Sequence, residues 1–286
     1  MNELLPLAIV FAASCYAATA SDLSDRYGKA TMQGFAAGPA VVSVEYNPIG
    51  LVAAVRIAPV GYQWKDFKPE RSMDHEAVSE LVDFFVPAER QNKMVNGLNC
   101  ISRPPHDGRP GQSSCGLSQG DRDISISTSY IVDAGPQRDL WVEVQSKVGL
   151  HLMAPDIGSR FGTPIIERFV AAPGIAATAA YGEKRTATGV VIAPVQPLLQ
   201  HDDQVREMAT SDAERVLNEI APIWSRNGLP GNAGTRSGCN EVQTEQFDDV
   251  VITRVLYHCH LLEPDLIMQL VVRWGPRQPW PEVKDR

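Results

Sequence analysis

Positive charge is scarce in this chain. Its 26 Lys and Arg are outnumbered by 34 Asp and Glu, giving a net charge of −8, and no basic run gathers the cations in one place. Polyanions are held by clustered Lys and Arg that displace their counterions, so nucleic acid is excluded as a partner. A C-x-x-C pair is also missing, and the spacings of Cys100, Cys115, Cys239 and Cys259 follow no familiar zinc pattern. No apolar run reaches the ~20 residues that a membrane-spanning helix needs. The nearest approach, Leu4 to Ala20, is broken by Pro6, Ser14 and Thr19. Turn formers are plentiful instead, with 21 Pro and 22 Gly, which favours short elements over long helices.

The apolar run Leu4 to Ala13 is followed by Ala18-Thr19-Ala20, whose small residues at alternate positions suit the groove of a signal peptidase. Export is therefore expected, to the periplasm or cell envelope, with residues 1–20 as signal peptide and cleavage before Ser21. The leader departs from the usual pattern in having Glu3 and no cation before Arg26. Ala12-Ala13-Ser14-Cys15 also approximates a lipoprotein site, which would move the cut to Cys15 and acylate it. That lipid is the one expected route to a membrane. Once the leader is removed four cysteines remain, an even number in an oxidising compartment, and disulfides follow. One bond in each half, Cys100–Cys115 and Cys239–Cys259, would each contribute on the order of 3 kcal/mol by closing a loop.

The strongest pattern is internal. Residues 123–149 and 249–275 overlay without a gap at an offset of 126, matching Asp123 with Asp249, Ile126 with Ile252, Asp139 with Asp265, Leu140 with Leu266 and Gly149 with Gly275. Val55-Arg56-Ile57-Ala58-Pro59-Val60 recurs as Val190-Val191-Ile192-Ala193-Pro194-Val195, Asn96-Gly97-Leu98 as Asn227-Gly228-Leu229, and Cys115 as Cys239. Four matches in one order indicate duplication. The expected fold is α+β: two similar domains, each a helix on a small antiparallel sheet, over residues 40–160 and 181–286, with a connecting segment at 21–39 and a junction at 161–180.

Within the first half, Ala40–Tyr46 and Leu51–Val60 read as strands. Asp74 offers a helix N-cap before Val78, Leu81, Val82 and Phe85, which share one helical face until Pro87. Asn96 to Gly120 reads as a long loop. Ile124 to Val144 alternates as a hairpin around an Asp133–Asp139 turn. In the second half, Thr188–Val195 reads as a strand, Asp203–Trp224 as a helix, Asn227–Gly238 as a Gly-rich loop, and Val250–Leu262 with Asp265–Trp274 as a hairpin.

Catalytic signatures fail on context. Gly116-Leu117-Ser118-Gln119-Gly120 matches G-x-S-x-G, but no strand-to-helix turn surrounds Ser118, so a glycine turn is the better reading. His258 and His260 share one strand face but lack a third ligand that the sequence places nearby; Asp265, His201 and Asp202 are the candidates. No catalytic residue, metal site or cofactor is assigned. The Pro-rich stretch around Arg103, His106, Asp107 and Arg109, with Arg226 and Arg236 in the second half, suits protein binding.

A helix ending near Trp224, a Gly/Pro loop, Gly238-Cys239 and a hairpin containing Pro264-Asp265-Leu266 resemble the two-domain periplasmic immunity proteins that protect bacteria from type VI secreted lipase effectors. The resemblance implies an inhibitor without chemistry of its own, whose 100–115 and 228–239 loops rim a cleft that clasps a secreted effector. A periplasmic hydrolase or metal-dependent enzyme is the rival, and a ligand-binding or envelope-assembly lipoprotein the third reading.

Overall fold

A computed structural model describes residues 17–60, 72–103, 112–132, 138–199, 207–222, 226, 229–237, 240–257 and 266–275. It is mixed α+β, dominated by antiparallel strands with a few short helices. The chain falls into two compact units: unit I comprises Tyr27–Val170 and Val195–Gln204, and unit II comprises Met1–Arg26, Ala171–Pro194 and Val205–Arg286.

Unit I holds β1 (Met32–Ala37), β2 (Ala40–Tyr46), β3 (Val52–Pro59), β4 (Met73–Asp74), β5 (Val95–Arg103), β6 (Gln112–Gly120), β7 (Ile124–Val132) and β8 (Arg138–Ser146). Their order across the sheet is β1-β2-β3-β8-β7-β6-β5, and β4 pairs with β8. Helix α2 (His75–Phe85) starts where the sequence says it should: the Asp74 side chain accepts from the Ala77 amide at 3.3 Å, and the helix ends at Val86, before Pro87. It buries Val78, Val82 and Phe85 against a layer that includes Val55, Ile57, Val142 and Val144. Phe161, at the end of α4 (Ala154–Phe161), closes that core by stacking on Phe85, with ring centroids 6.0 Å apart.

Unit II repeats the order of elements with β10 (Ile175–Tyr181), β11 (Ala187–Pro194), β12 (Met208–Ala209), α5 (Thr210–Ile220), β13 (Gly231–Ser237), β14 (Asn240–Gln246), β15 (Val250–Tyr257) and β16 (Leu266–Trp274). The sheet runs β10-β11-β16-β15-β14-β13, and β12 pairs with β16. The strand β9 (Ile166–Ala172) starts in unit I, where Ile166, Glu167 and Arg168 pair with β1.

Several expectations are corrected. The stretch at 21–39 is no connector, because it forms α1 (Ala20–Tyr27) and β1. Thr19 caps α1 reciprocally with Asp22: the Asp22 amide donates to Thr19 Oγ1 at 3.2 Å, and the Thr19 amide donates to Asp22 Oδ2 at 2.8 Å. The Thr19 amide and the Thr19 hydroxyl, which donates to the same carboxylate oxygen at 2.7 Å, hold the Asp22 carboxyl below its usual pKa. Ala18 is buried, its carbonyl accepts from the Ala187 amide at 2.8 Å, and Thr19 bridges to Thr186. The residues of the expected signal peptidase site are therefore folded into unit II. The junction at 161–180 contains β9 and most of β10. The long loop at 96–120 is the β5–β6 hairpin, and much of the loop at 228–239 is β13.

The gap-free overlay is also corrected by register. Ile126 faces Val144 and Ile252 faces Val272, so β7 and β15 keep the offset of 126 while their partners β8 and β16 are 128 apart. The closing bonds agree, since Lys147 N donates to Asp123 O whereas Gly275 N donates to Asp249 O. Asp139, Leu140 and Gly149 therefore do not match Asp265, Leu266 and Gly275. Gly149 shows why identity misled: its φ is +97° and an added Cβ would meet Leu51 Cβ at 2.8 Å, a demand that Gly275 does not face.

Both hairpins carry one irregularity. Ser129 pairs with Trp141 and Tyr130 with Asp139, which leaves Leu140 as an extra residue in β8; Val255 pairs with Gln269 and Leu256 with Ile267, which leaves Met268 extra in β16. A β-bulge shifts the alternation of side chains by one. Asp139 consequently faces the same side as Val142, three residues on, which a regular strand would not allow.

Candidate functional site

That shift helps to build a hollow in unit I. A cavity of about 220 Å³ lies between α2 and the sheet, walled by Val78 and Val82 of the helix and by Leu117, Ile126 and Val142 of β6, β7 and β8. Its polar groups are His75, Ser79, Gln91, Gln119, Thr128 and Asp139. The Asp139 carboxylate is 1% exposed and accepts from His75 Nδ1 at 2.8 Å; the imidazole itself is 45% exposed. His75 is the first residue of α2 and Ser79 lies one turn on, so helical geometry brings both to one side. Gln91, in the short helix α3 (Ala88–Gln91), uses both amide hydrogens, donating to Asp83 Oδ1 and the Val86 carbonyl at 2.7 Å each. Its Oε1 is left as an acceptor. Ser79, Gln119 and Thr128 form no side-chain hydrogen bond among the described residues.

The same topological positions in unit II are filled differently. α5 also has 11 residues and follows a two-residue strand whose Met208 pairs with Ile267, as Met73 pairs with Asp139. By that register Thr210 stands where His75 does, Glu214 for Ser79, Glu245 for Gln119, Arg254 for Thr128 and Ile267 for Asp139. Arg254 Nε donates to Glu214 at 2.6 Å and its NH1 lies 3.1 Å from Glu245. Burial works against the Arg254 charge, but the bonds to Glu214 and the carboxylates of Glu214 and Glu245 outweigh it and raise its pKa. An ion network thus occupies the space that unit I leaves open, so the fold itself does not require the His75–Asp139 pair or the cavity.

The residues singled out from sequence fare unevenly. Ser118 lies mid-strand in β6, paired with Gly97 and Ser127, which removes both the nucleophile elbow and the glycine turn. Cys100 and Cys115 are direct backbone partners across β5 and β6. By contrast, Cys115 registers with Glu241 rather than with Cys239, because Gln119 and Glu245 each pair with the matched isoleucines Ile126 and Ile252. Arg226 is committed to its own unit: its Nε and one NH2 bond donate to the Ala221 carbonyl at 3.1 and 2.9 Å, NH2 also donates to Asn218 at 3.1 Å, and burial lowers its pKa. These bonds finish the C-terminus of α5, and Arg226 stays partly exposed. Arg103 ends β5 and Arg236 lies in β13. Cys15, His106, Asp107, Arg109, His201, Asp202, Cys239, His258, Cys259, His260 and Asp265 lie outside the described residues.

The sheet edge is the other conspicuous feature of unit I. β5 ends the strand order, and Val95 and Leu98 on it are 81% and 64% exposed. Leu98 is directly opposite Leu117, and Asn96 opposite Gln119. Cross-strand partners share a face, so Asn96 and Leu98 continue the face of the cavity wall, while Val95, three residues from Leu98, lies on the other face.

No family model matches the sequence, and no curated protein matches it significantly. Among solved structures, the tesB protein of Mycobacterium avium subspecies paratuberculosis aligns over 78% of this chain and 94% of its own at 8% identity, with a TM-score of 0.15. The dehydratase domain from the terminal module of the rifamycin polyketide synthase aligns over 82% and 94% at 11% identity, with a TM-score of 0.17. Scores this low show no shared fold and carry no argument about this chain.

Proposed function

We propose that this chain is an exported protein-binding module, an immunity or inhibitor protein that acts in the periplasm or cell envelope by occluding a secreted effector. The observation that carries this reading is the β5 edge: among the described residues it is an end strand, with Val95 and Leu98 displayed to solvent. A free edge offers a row of backbone donors and acceptors to an incoming strand, and apolar edge residues make addition favourable. The acidic balance of the chain fits a protein partner and disfavours a polyanion. We infer in addition that the two units arose by duplication, supported by their common element order and by the bulge at the same place in β8 and β16. A Cys100–Cys115 disulfide belongs to the same proposal. Directly opposed residues in antiparallel strands have Cα atoms about 4.5–5.5 Å apart, within the disulfide range.

The test is capture from a strain that exports the protein, with wild type beside Val95→Lys and Leu98→Lys. A charge on the edge should abolish capture of the effector, and Ser118→Ala should not. Equal capture by all variants would remove the edge as the binding surface. A hydrolase reading is favoured by one observation, that Ser79, His75 and Asp139 line one cavity, the residue types of nucleophile, base and orienter, although only His75 and Asp139 are bonded to each other. It stands second because about 220 Å³ is below the ~300–1,000 Å³ of sites that take small-molecule substrates.

A further inference from the structure

We propose that the unit I cavity is an anchor pocket for a tyrosine side chain of the partner protein; the proposal rests on the protein-binding reading above. Size comes first. A cavity of ~150 Å³ admits benzene, and this one, at about 220 Å³, has room for a ring with one further group at each end. A pocket of this size takes one side chain, and Trp, Tyr and Arg are the residues that most often serve as anchors in interfaces.

Charge then separates the three. His75 and Asp139 are the titratable residues of the lining, and they are bonded to each other at 2.8 Å. Asp139 is 1% exposed, so its carboxylate presents almost no surface to a guanidinium. An arginine guest would lose its hydration without gaining a counter-ion, which is costly. The equivalent space in unit II shows what a guanidinium needs here: Arg254 is met by two carboxylates, Glu214 and Glu245, whose positions in unit I are the neutral Ser79 and Gln119. Tryptophan brings one donor and no acceptor, so it would leave the Ser79 and Thr128 hydroxyls without the acceptor that a phenol oxygen supplies.

A phenol meets what remains. Its ring packs on Val78, Val82 and Val142, and its hydroxyl donates to Gln91 Oε1, whose amide hydrogens are already committed. Ser79 or Thr128 then supplies a donor to the phenol oxygen. Tyr combines an apolar body with a polar tip, and a lining that is apolar on the helix and strand faces and neutral-polar at its end matches both. The place is right as well. Leu98 on the β5 edge faces the same side as Leu117 in the cavity wall, so a strand added at β5 would lie one strand away from that wall.

The experiment uses the full chain and p-cresol as the probe, followed by NMR. Saturable shifts are expected at the side-chain amides of Gln91 and Gln119 and at the methyls of Val78 and Val142, with toluene binding about tenfold more weakly for want of the hydroxyl. N-acetylargininamide should cause no saturable shift. Ser79→Trp should abolish p-cresol binding; the double variant Ser79→Glu with Thr128→Arg, which copies unit II, should do the same should the Trp variant fail to fold. Absence of saturable p-cresol shifts, toluene binding as tight as p-cresol, an arginine probe that binds as tightly, or p-cresol shifts that persist in the folded filled variants would each overturn the proposal. Leu98→Lys should leave p-cresol binding unchanged while abolishing effector capture. That contrast separates failure of the pocket from failure of the binding reading.

Discussion

Asp139 is a charge that one half of the chain keeps and the other does without. With Ile267 at the matching place in β16, the fold is satisfied by a hydrocarbon, so the carboxylate and its imidazole should be removable together and not singly. His75→Ala is expected to destabilise the protein by about 1–3 kcal/mol because it takes a hydrogen-bond partner from a buried carboxylate. His75→Thr combined with Asp139→Ile, the pair found in unit II, should cost clearly less, as read by urea unfolding. Asp121 is a contrasting case, exposed and anchoring the β6–β7 turn. Its carboxylate accepts from Arg90 Nε, from the Ile124 amide and from the Asp123 amide, each at 2.8 Å, and these bonds hold its pKa well below the ordinary range. A carboxyl depressed in the folded state contributes stability that is fully present above its unfolded pKa of about 4 and is lost as pH falls through the folded value. Asp121→Asn should therefore be less stable than wild type at pH 7, with the gap narrowing below about pH 4; parallel unfolding curves across pH check this. Residues of this kind were unevenly legible. Asp74 announced itself as a cap because capping is local in sequence, whereas Asp139 was assigned to a turn, since nothing in the sequence marks the extra residue that turns it inward.

Elements whose pattern is set by a covered face could be read from the chain; those without one could not. Ala40–Tyr46, α2 and the β7–β8 hairpin were readable because a buried side imposes period 2 or 3.6 on them. The β5–β6 hairpin reads as a loop in the sequence because its residues 96–98 and 118 are exposed, so no core forces alternation, and because Pro104, Pro105 and Pro110 lie beside it in the chain. Its register now makes a sharper statement than the cysteine count could. Cys100 and Cys115 are opposed in unit I, while the corresponding pair in unit II is Arg236 and Glu241. Non-reducing peptide mapping of the exported protein should recover the peptide linked through Cys100 and Cys115. A free thiol at either position in that material would contradict it.

The chain as a whole presents two units with a common order of elements, an acidic balance of charge and N-terminal residues, from Ala18 on, that fold into unit II. Composition gave the first estimate of two units and the charge. The boundaries escaped it, because the N-terminal residues and 171–194 belong with the second half and no linker composition marks that exchange. Processing before Ser21 would delete Ala18 and the Thr19 cap from unit II. Mature protein recovered from the cell envelope is accordingly expected to begin at or before Ala18, and N-terminal sequencing that finds Ser21 would contradict this. The bulge in β8 also bears on how such a molecule can change over time. Substitutions at Ser79, Thr128 or Gln119 can retune the hollow one contact at a time, since the backbone that aims them stays put. Loss of Leu140 would restore strict alternation with Asp139 still opposite Tyr130 and still on the side of Val142, whereas re-pairing β8 at its present length without the bulge would turn Asp139 outward and erase the hollow in one event. Relatives of this chain should therefore tolerate insertions and deletions in the connection between β7 and β8, but inherit the pairing of Asp139 with Tyr130 as a fixed character, and their specificities should diverge by side-chain exchange alone.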